Sequence, residues 1–80
     1  VVGREISLSK KTVCGVLKQG QPVICSVGRG DFTTEGHFIV LTGMKDGRIK
    51  VNDPNCIHRS CLWKYETLEP QIKNLWAYQG

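Results

Sequence analysis

The sequence predicts an α+β fold built on a mostly antiparallel β-sheet. Three observations carry that expectation. One amphipathic stretch, "SLSKKTVCGVLKQG", comes early; a β-branched run, "PVICSV", stands between a proline and a glycine; and two apolar runs flank "KDG", a hairpin signal. The order helix, strand, two-strand hairpin, short helix, strand gives the class.

Residues Val1 to Leu8 read as an opening strand or a tail. Val13, Val16 and Leu17 then recur at i, i+3 and i+4, with Ser9 placed to cap the start and Gly20 to end the turn, so a helix is expected over residues 10–19. Its early lysines, Lys10 and Lys11, oppose the helix macrodipole. Val23 to Val27 reads as a central strand, apolar on both faces. A glycine-bracketed loop, "GRGDFTTEG", leads to strands at Phe38 to Met44 and Arg48 to Asn52. "DPNCIHRSC" is irregular, and Pro54 holds Asp53 extended. A short helix capped by Thr67 would put Pro70 in its first turn, where a missing N–H is tolerated. A last strand is expected over Asn74 to Tyr78.

Eighty residues form a single domain with a small core. The composition is that of a folded chain, 40% hydrophobic and 22% charged. The net charge of +4 comes from basic residues scattered singly, which reads as a solvated surface and not as the clustered stripe of a nucleic-acid binder. No apolar run approaches the roughly 20 residues of a membrane helix. Four cysteines allow disulfides but match no specific framework, and the compartment stays open.

The hairpin decides what His37 and Asp53 do. With Asp46 and Gly47 as a two-residue loop, Lys45 would oppose Arg48, Asp53 would oppose Val40, and His37 would point to the other face. With Lys45, Asp46 and Gly47 as a three-residue loop carrying a bulge at the glycine, Met44 opposes Arg48 and Asp53 opposes Ile39. That register gathers His37, Ile39, Leu41, Gly43, Ile49, Val51 and Asp53 on one face, and Phe38, Val40, Thr42, Met44, Arg48, Lys50 and Asn52 on the other. Binary patterning selects it, because the alternative mixes charge into an apolar surface. His37 and Asp53 then become diagonal neighbours at one rim, within about 7 to 8 Å at Cβ.

Two readings of the pair stand side by side. One is a structural clamp on the hairpin end. The other is an acid/base histidine whose Nδ1 is held by the carboxylate, leaving Nε2 to meet a nucleophile. A cysteine is the natural nucleophile. Cys14 sits mid-helix and Cys25 within a strand; Cys56 and Cys61 follow Asp53 in a loop with no helix start to lower a thiol pKa. None of the four is convincing.

"GQPVICSVGRGDFTTEGHFIVLTGMKDGRIKVNDPN" and the trailing "WKYETLEPQIKNLWAY" together resemble the C-terminal half of papain-like cysteine peptidases, in the bacterial group related to bacteriocin leader-processing (double-glycine) peptidases. The motif is G-x-P-V-I before a loop, G-H-F-I-V-L-x-G on the next strand, then D-G and V-N-D-P. It spans Leu17 to Tyr78. The resemblance implies a half-barrel sheet packed against an N-terminal helical half that carries the nucleophilic cysteine and an oxyanion glutamine. It also implies that His37 is the general base and acid, that Asp53 orients it, and that the substrate is a peptide with no cofactor needed. It favours a bacterial protein of the cell envelope or exterior. On this reading the chain is a truncated or separately produced half, catalytically silent alone, whose exposed apolar face favours a missing half or a second copy.

Other residues carry weaker alternatives. Gly36 lets a substrate backbone pass close to His37, or simply ends the loop. Trp63, Trp76 and Tyr78 form a ligand platform, or Trp76 is core or covers the surface left by the absent half. Cys56, His58 and Cys61 offer three zinc ligands without the usual paired knuckles, and a Cys56–Cys61 disulfide competes with that. "RGD" at Arg29 to Asp31 reads as a turn. A basic, non-catalytic module that binds a peptide or envelope polymer is the functional alternative.

Overall fold

Ser9 and Gly20 bracket the first helix in the manner their chemistry dictates. In the computed structural model, which describes residues 2–30, 32, 36–53 and 60–79, α1 spans Lys10–Lys18. Thr12 N–H donates to the Ser9 hydroxyl at 3.2 Å. At the other end Gly20, at φ 81°, donates to Leu17 O and Gln21 donates to Val16 O, the two bonds of a Schellman closure. Val13, Val16 and Leu17 are buried, as the periodicity requires.

The strands are β1 (Val2–Glu5), β2 (Val23–Val27), β3 (His37–Lys45), β4 (Arg48–Asn52), β5 (Leu62–Trp63) and β6 (Ile72–Gln79). They form one open sheet in the order β1-β6-β2-β3-β4-β5, with every neighbouring pair antiparallel. The fold is α+β, as expected. Val2–Glu5 is an opening strand laid along β6. β2 is central, but it is not buried on both faces: Val23, Cys25 and Val27 are buried while Ile24 and Ser26 are only half-buried. The two-residue β5 had no periodic signal in the sequence.

The second helix differs from expectation. α2 covers Tyr65–Leu68 and runs into a 3₁₀ turn at Glu69–Gln71, with Lys64 and not Thr67 at its N-cap. Tyr65 and Leu68, three apart, are both buried, so burying that pair draws the helix start towards Lys64. Pro70 falls in the 3₁₀ turn. β6 starts at Ile72, itself buried with Leu75 and Ala77.

The β3–β4 turn also corrects an expectation. Lys45 opposes Arg48, and Asp46 and Gly47 both take positive φ, 54° and 77°. This is a two-residue turn of the primed kind, whose twist matches the flanking strands. The irregularity lies further along, where Gly43 opposes Lys50 and Leu41 opposes Val51, leaving Thr42 as an extra residue on β3. Beyond that bulge the register is the one that patterning selected. Before it the faces exchange, so Met44 packs against the core opposite Ile49, and Gly43 lies on the outer face with Lys50.

One face of the sheet carries the core, including Ile39, Leu41, Ile49, Val51 and Leu75. α1 lies across β2 and β3 on this side, and Tyr65 and Leu68 join the cluster. Phe32 is buried as well, its ring 4.8 Å from that of Trp63. The apolar face expected to lie open in the isolated chain is therefore covered from within. The large apolar side chains left exposed among the described residues are Leu8 and Phe38.

Candidate active site

His37 opens β3 opposite the buried Val27 of β2, which sets its side chain on the core side of the sheet at one rim. Asp53 follows the last residue of β4. Because Val40 opposes Asn52, Asp53 reaches the same face, diagonal to His37. Their contact is short: His37 Nε2 lies 2.7 Å from Asp53 Oδ1. An ionised carboxylate can only accept, so Nε2–H donates. The carboxylate is fully buried, and the imidazole side chain is 13% exposed.

The ring nitrogen is the opposite of the one expected. Asp53 engages Nε2, not Nδ1, and the reason is reach. Across a diagonal cross-strand separation of about 7 to 8 Å, the nitrogen further from Cβ makes the contact.

Ser60 is a part of the site that sequence reasoning missed. Asp53 N–H donates to Ser60 Oγ at 2.8 Å, and the Ser60 hydroxyl donates to Asp53 O at 3.2 Å. Val51 N–H donates to Cys61 O at 3.0 Å, which continues the attachment along β4. These bonds fix the backbone of the carboxylate from its far side. A lone serine within "HRSC" carries no signal for this role.

Gly36, just before His37, is exposed, and among the described residues a Cβ built on it would meet nothing within 4 Å. Their packing therefore does not demand glycine there. Trp76 is not brought to the pair. It lies opposite Ile24 on β6, on the outer face, with His37 on the core face.

The cysteines fall into different environments. Cys25 is fully buried, and that burial pushes its thiol up to about 12, which keeps it protonated and inert. Cys14 is half-buried on α1, and Cys61 is exposed. No cluster of metal-ligating side chains occurs among the described residues. Cys56 and His58, and with them the zinc and disulfide alternatives, lie outside the described residues, as does Asp31 of "RGD".

Comparison with curated proteins and with solved structures gives no match. The family model described as Peptidase_C39 like family matches residues 2–80. That span holds all six strands and the His37–Asp53 pair, so the chain is a peptidase-related domain and belongs to the Peptidase_C39 like family.

Proposed function

We propose that His37 and Asp53 are the acid/base pair of a papain-like cysteine peptidase that hydrolyses peptide bonds. One observation carries this reading: the 2.7 Å contact that fixes the imidazole through Nε2 against a fully buried carboxylate. The carboxylate holds the ring in one orientation and one tautomer. The Nδ1 edge then takes the proton of a cysteine thiol, and the thiolate attacks the scissile carbonyl carbon. The imidazolium returns the proton to the leaving amine, and water, deprotonated by the same imidazole, releases the acid from the thioester.

The nucleophile comes from outside the described residues of this chain, in a helical half that packs at the His37 rim. Cys25 does not serve, sealed as it is in the core. The space left by the described residues above the exposed Gly36 suits an extended substrate backbone running past His37.

Peptide hydrolysis by the full-length protein tests the assignment. His37→Ala is expected to lower kcat/KM by about 10³-fold, with Asp53→Asn lowering it by about 10²-fold or more. Full activity in the folded His37→Ala protein would leave the pair a structural clamp.

A further inference from the structure

Strand pairing puts the side chains of Trp76, Ile24 and Val40 in one row across the outer face, opposite the side packed by α1. Phe38, two residues from Val40 and 57% exposed, extends the row, its ring 6.4 Å from that of Trp76. No helix among the described residues covers this surface. The hairpin continues it with a different chemistry. Lys45 opposes Arg48, and Lys50 opposes both Gly43 and Leu62, so all three cations stand on the outer face. None of them makes an ion pair among the described residues. Lys45, Lys50 and Leu62 also line a cavity of about 390 Å³, with Met44, Val51 and Ser60 contributing to its wall.

From this juxtaposition we infer that the outer face is a docking site for an acidic peptide segment, with apolar side chains seated on Phe38, Ile24 and Val40 and carboxylates at Lys45, Arg48 and Lys50. Charge complementarity selects the occupant, because three unpaired cations beside an apolar row match alternating or adjoining Asp/Glu and aromatic or aliphatic residues. Glu5 lies at the far side beyond Trp76, where it accepts a bond from Asn74 at 3.2 Å, while Asp46, exposed in the turn between Lys45 and Arg48, offsets one of the three cations and leaves the hairpin end net positive. Acidic and basic margins thus orient the segment, carboxylates towards the hairpin. From β6 to β4 is three strand spacings, about 14 Å, which an extended stretch of four to five residues spans. A nucleic acid fits less well, since its regular phosphates need cations along the whole track, and here they are gathered at one end. His37 and Phe38 are consecutive and point to opposite faces at the same rim, but the outer face would bind such a segment whether or not the pair does chemistry.

Titration of the 80-residue chain, followed by amide NMR, tests this. The probe is an acetylated hexapeptide with phenylalanine and leucine at one end and three glutamates at the other. Shifts are expected at Ile24, Phe38, Val40 and Lys50, with affinity falling at least tenfold when the glutamates become glutamines. The same loss is expected for the Lys45→Glu/Lys50→Glu chain, and a smaller one for Lys50→Gln, whose unchanged remaining spectrum reports an intact fold. Equal binding of the glutamine peptide, shifts confined to the core face, or tighter binding of an oligothymidine of equal charge would each overturn the assignment.

Discussion

Leu41 stands opposite Val51, one step away from the partner that the Asp46–Gly47 turn alone would assign it. Everything at the candidate site follows from that step. A regular ladder from a two-residue turn would place Asp53 opposite Val40 and turn it away from His37. The extra residue at Thr42 shifts the register once, and a shift of one residue moves every side chain beyond it to the other face. The bulge thereby aims a histidine and an aspartate at each other, a common use of bulges beside functional sites.

Deletion of Thr42 is expected to be tolerated. The residue has no paired residue in the ladder and makes one bond across it, its hydroxyl donating to Lys50 O at 3.4 Å, so removing it leaves Gly43 opposite Lys50 and Leu41 opposite Val51, at a cost of about 1 kcal/mol. Deletion of Val40 instead carries Ile39 and His37 to the outer face and breaks the pair. Thermal unfolding and the ¹⁵N shifts of the His37 ring check both: an intact Nε2–H in the first chain, and a destabilised chain without it in the second.

Gly47→Ala is expected to destabilise the chain by about 1 kcal/mol, because φ at this position is 77°. Asp46→Gly, also at positive φ, is expected to be close to neutral. Urea midpoints measure both. Gly36→Ala, with open space at its Cβ, should leave stability unchanged while lowering peptide turnover if substrate passes there.

The hairpin shows how much was legible in the sequence. Alternation of Ile39, Leu41, Ile49 and Val51 was enough to choose the register near His37, since that choice alone keeps one face apolar. It could not say where the ladder absorbs its extra residue, because a bulge at Gly47 and a bulge at Thr42 give the same pairing beyond either point. Only Met44 distinguishes them, and a methionine fits a half-buried site on either face. The helix capped by Ser9 was legible because its cap, periodic face and terminal glycine agree. β5, Ser60 and the earlier start of α2 were not, because short elements held by long-range contacts leave no period to read. The identity of the ring nitrogen needed three-dimensional reach.

Removing either partner of the site is expected to cost stability as well as activity. Asp53 is buried, and His37→Ala would leave its carboxylate without the imidazole bond, lowering stability by about 3 kcal/mol. Ser60→Ala removes both bonds to the Asp53 backbone, at a cost of about 1 to 2 kcal/mol, and should reduce turnover less than His37→Ala does. Calorimetry of the variants, paired with peptide hydrolysis, separates the two effects.

Alkaline pH should weaken the fold through Cys25. Its thiol is pushed up to about 12 by burial, while the unfolded chain titrates near 8.5. Between those values the unfolded state loses its proton and the folded state keeps it, so stability is complete below about 8.5 and declines towards about 12, by up to about 5 kcal/mol. Tyr65, raised by burial and by Glu69, adds in the same direction. Cys25→Ala should flatten the decline in a pH series of urea unfolding. In the native chain at pH 8, iodoacetamide should modify Cys61 well before Cys25.

The most direct test of the catalytic assignment is the rate at which iodoacetamide alkylates the nucleophilic cysteine of the full-length peptidase at neutral pH, with and without the His37 imidazole. If that ring, held by Asp53, draws the proton from the thiol, His37→Ala lowers the rate constant at least 100-fold, and the wild-type rate stays high well below the ordinary thiol pKa. Equal rate constants for the two proteins would contradict it.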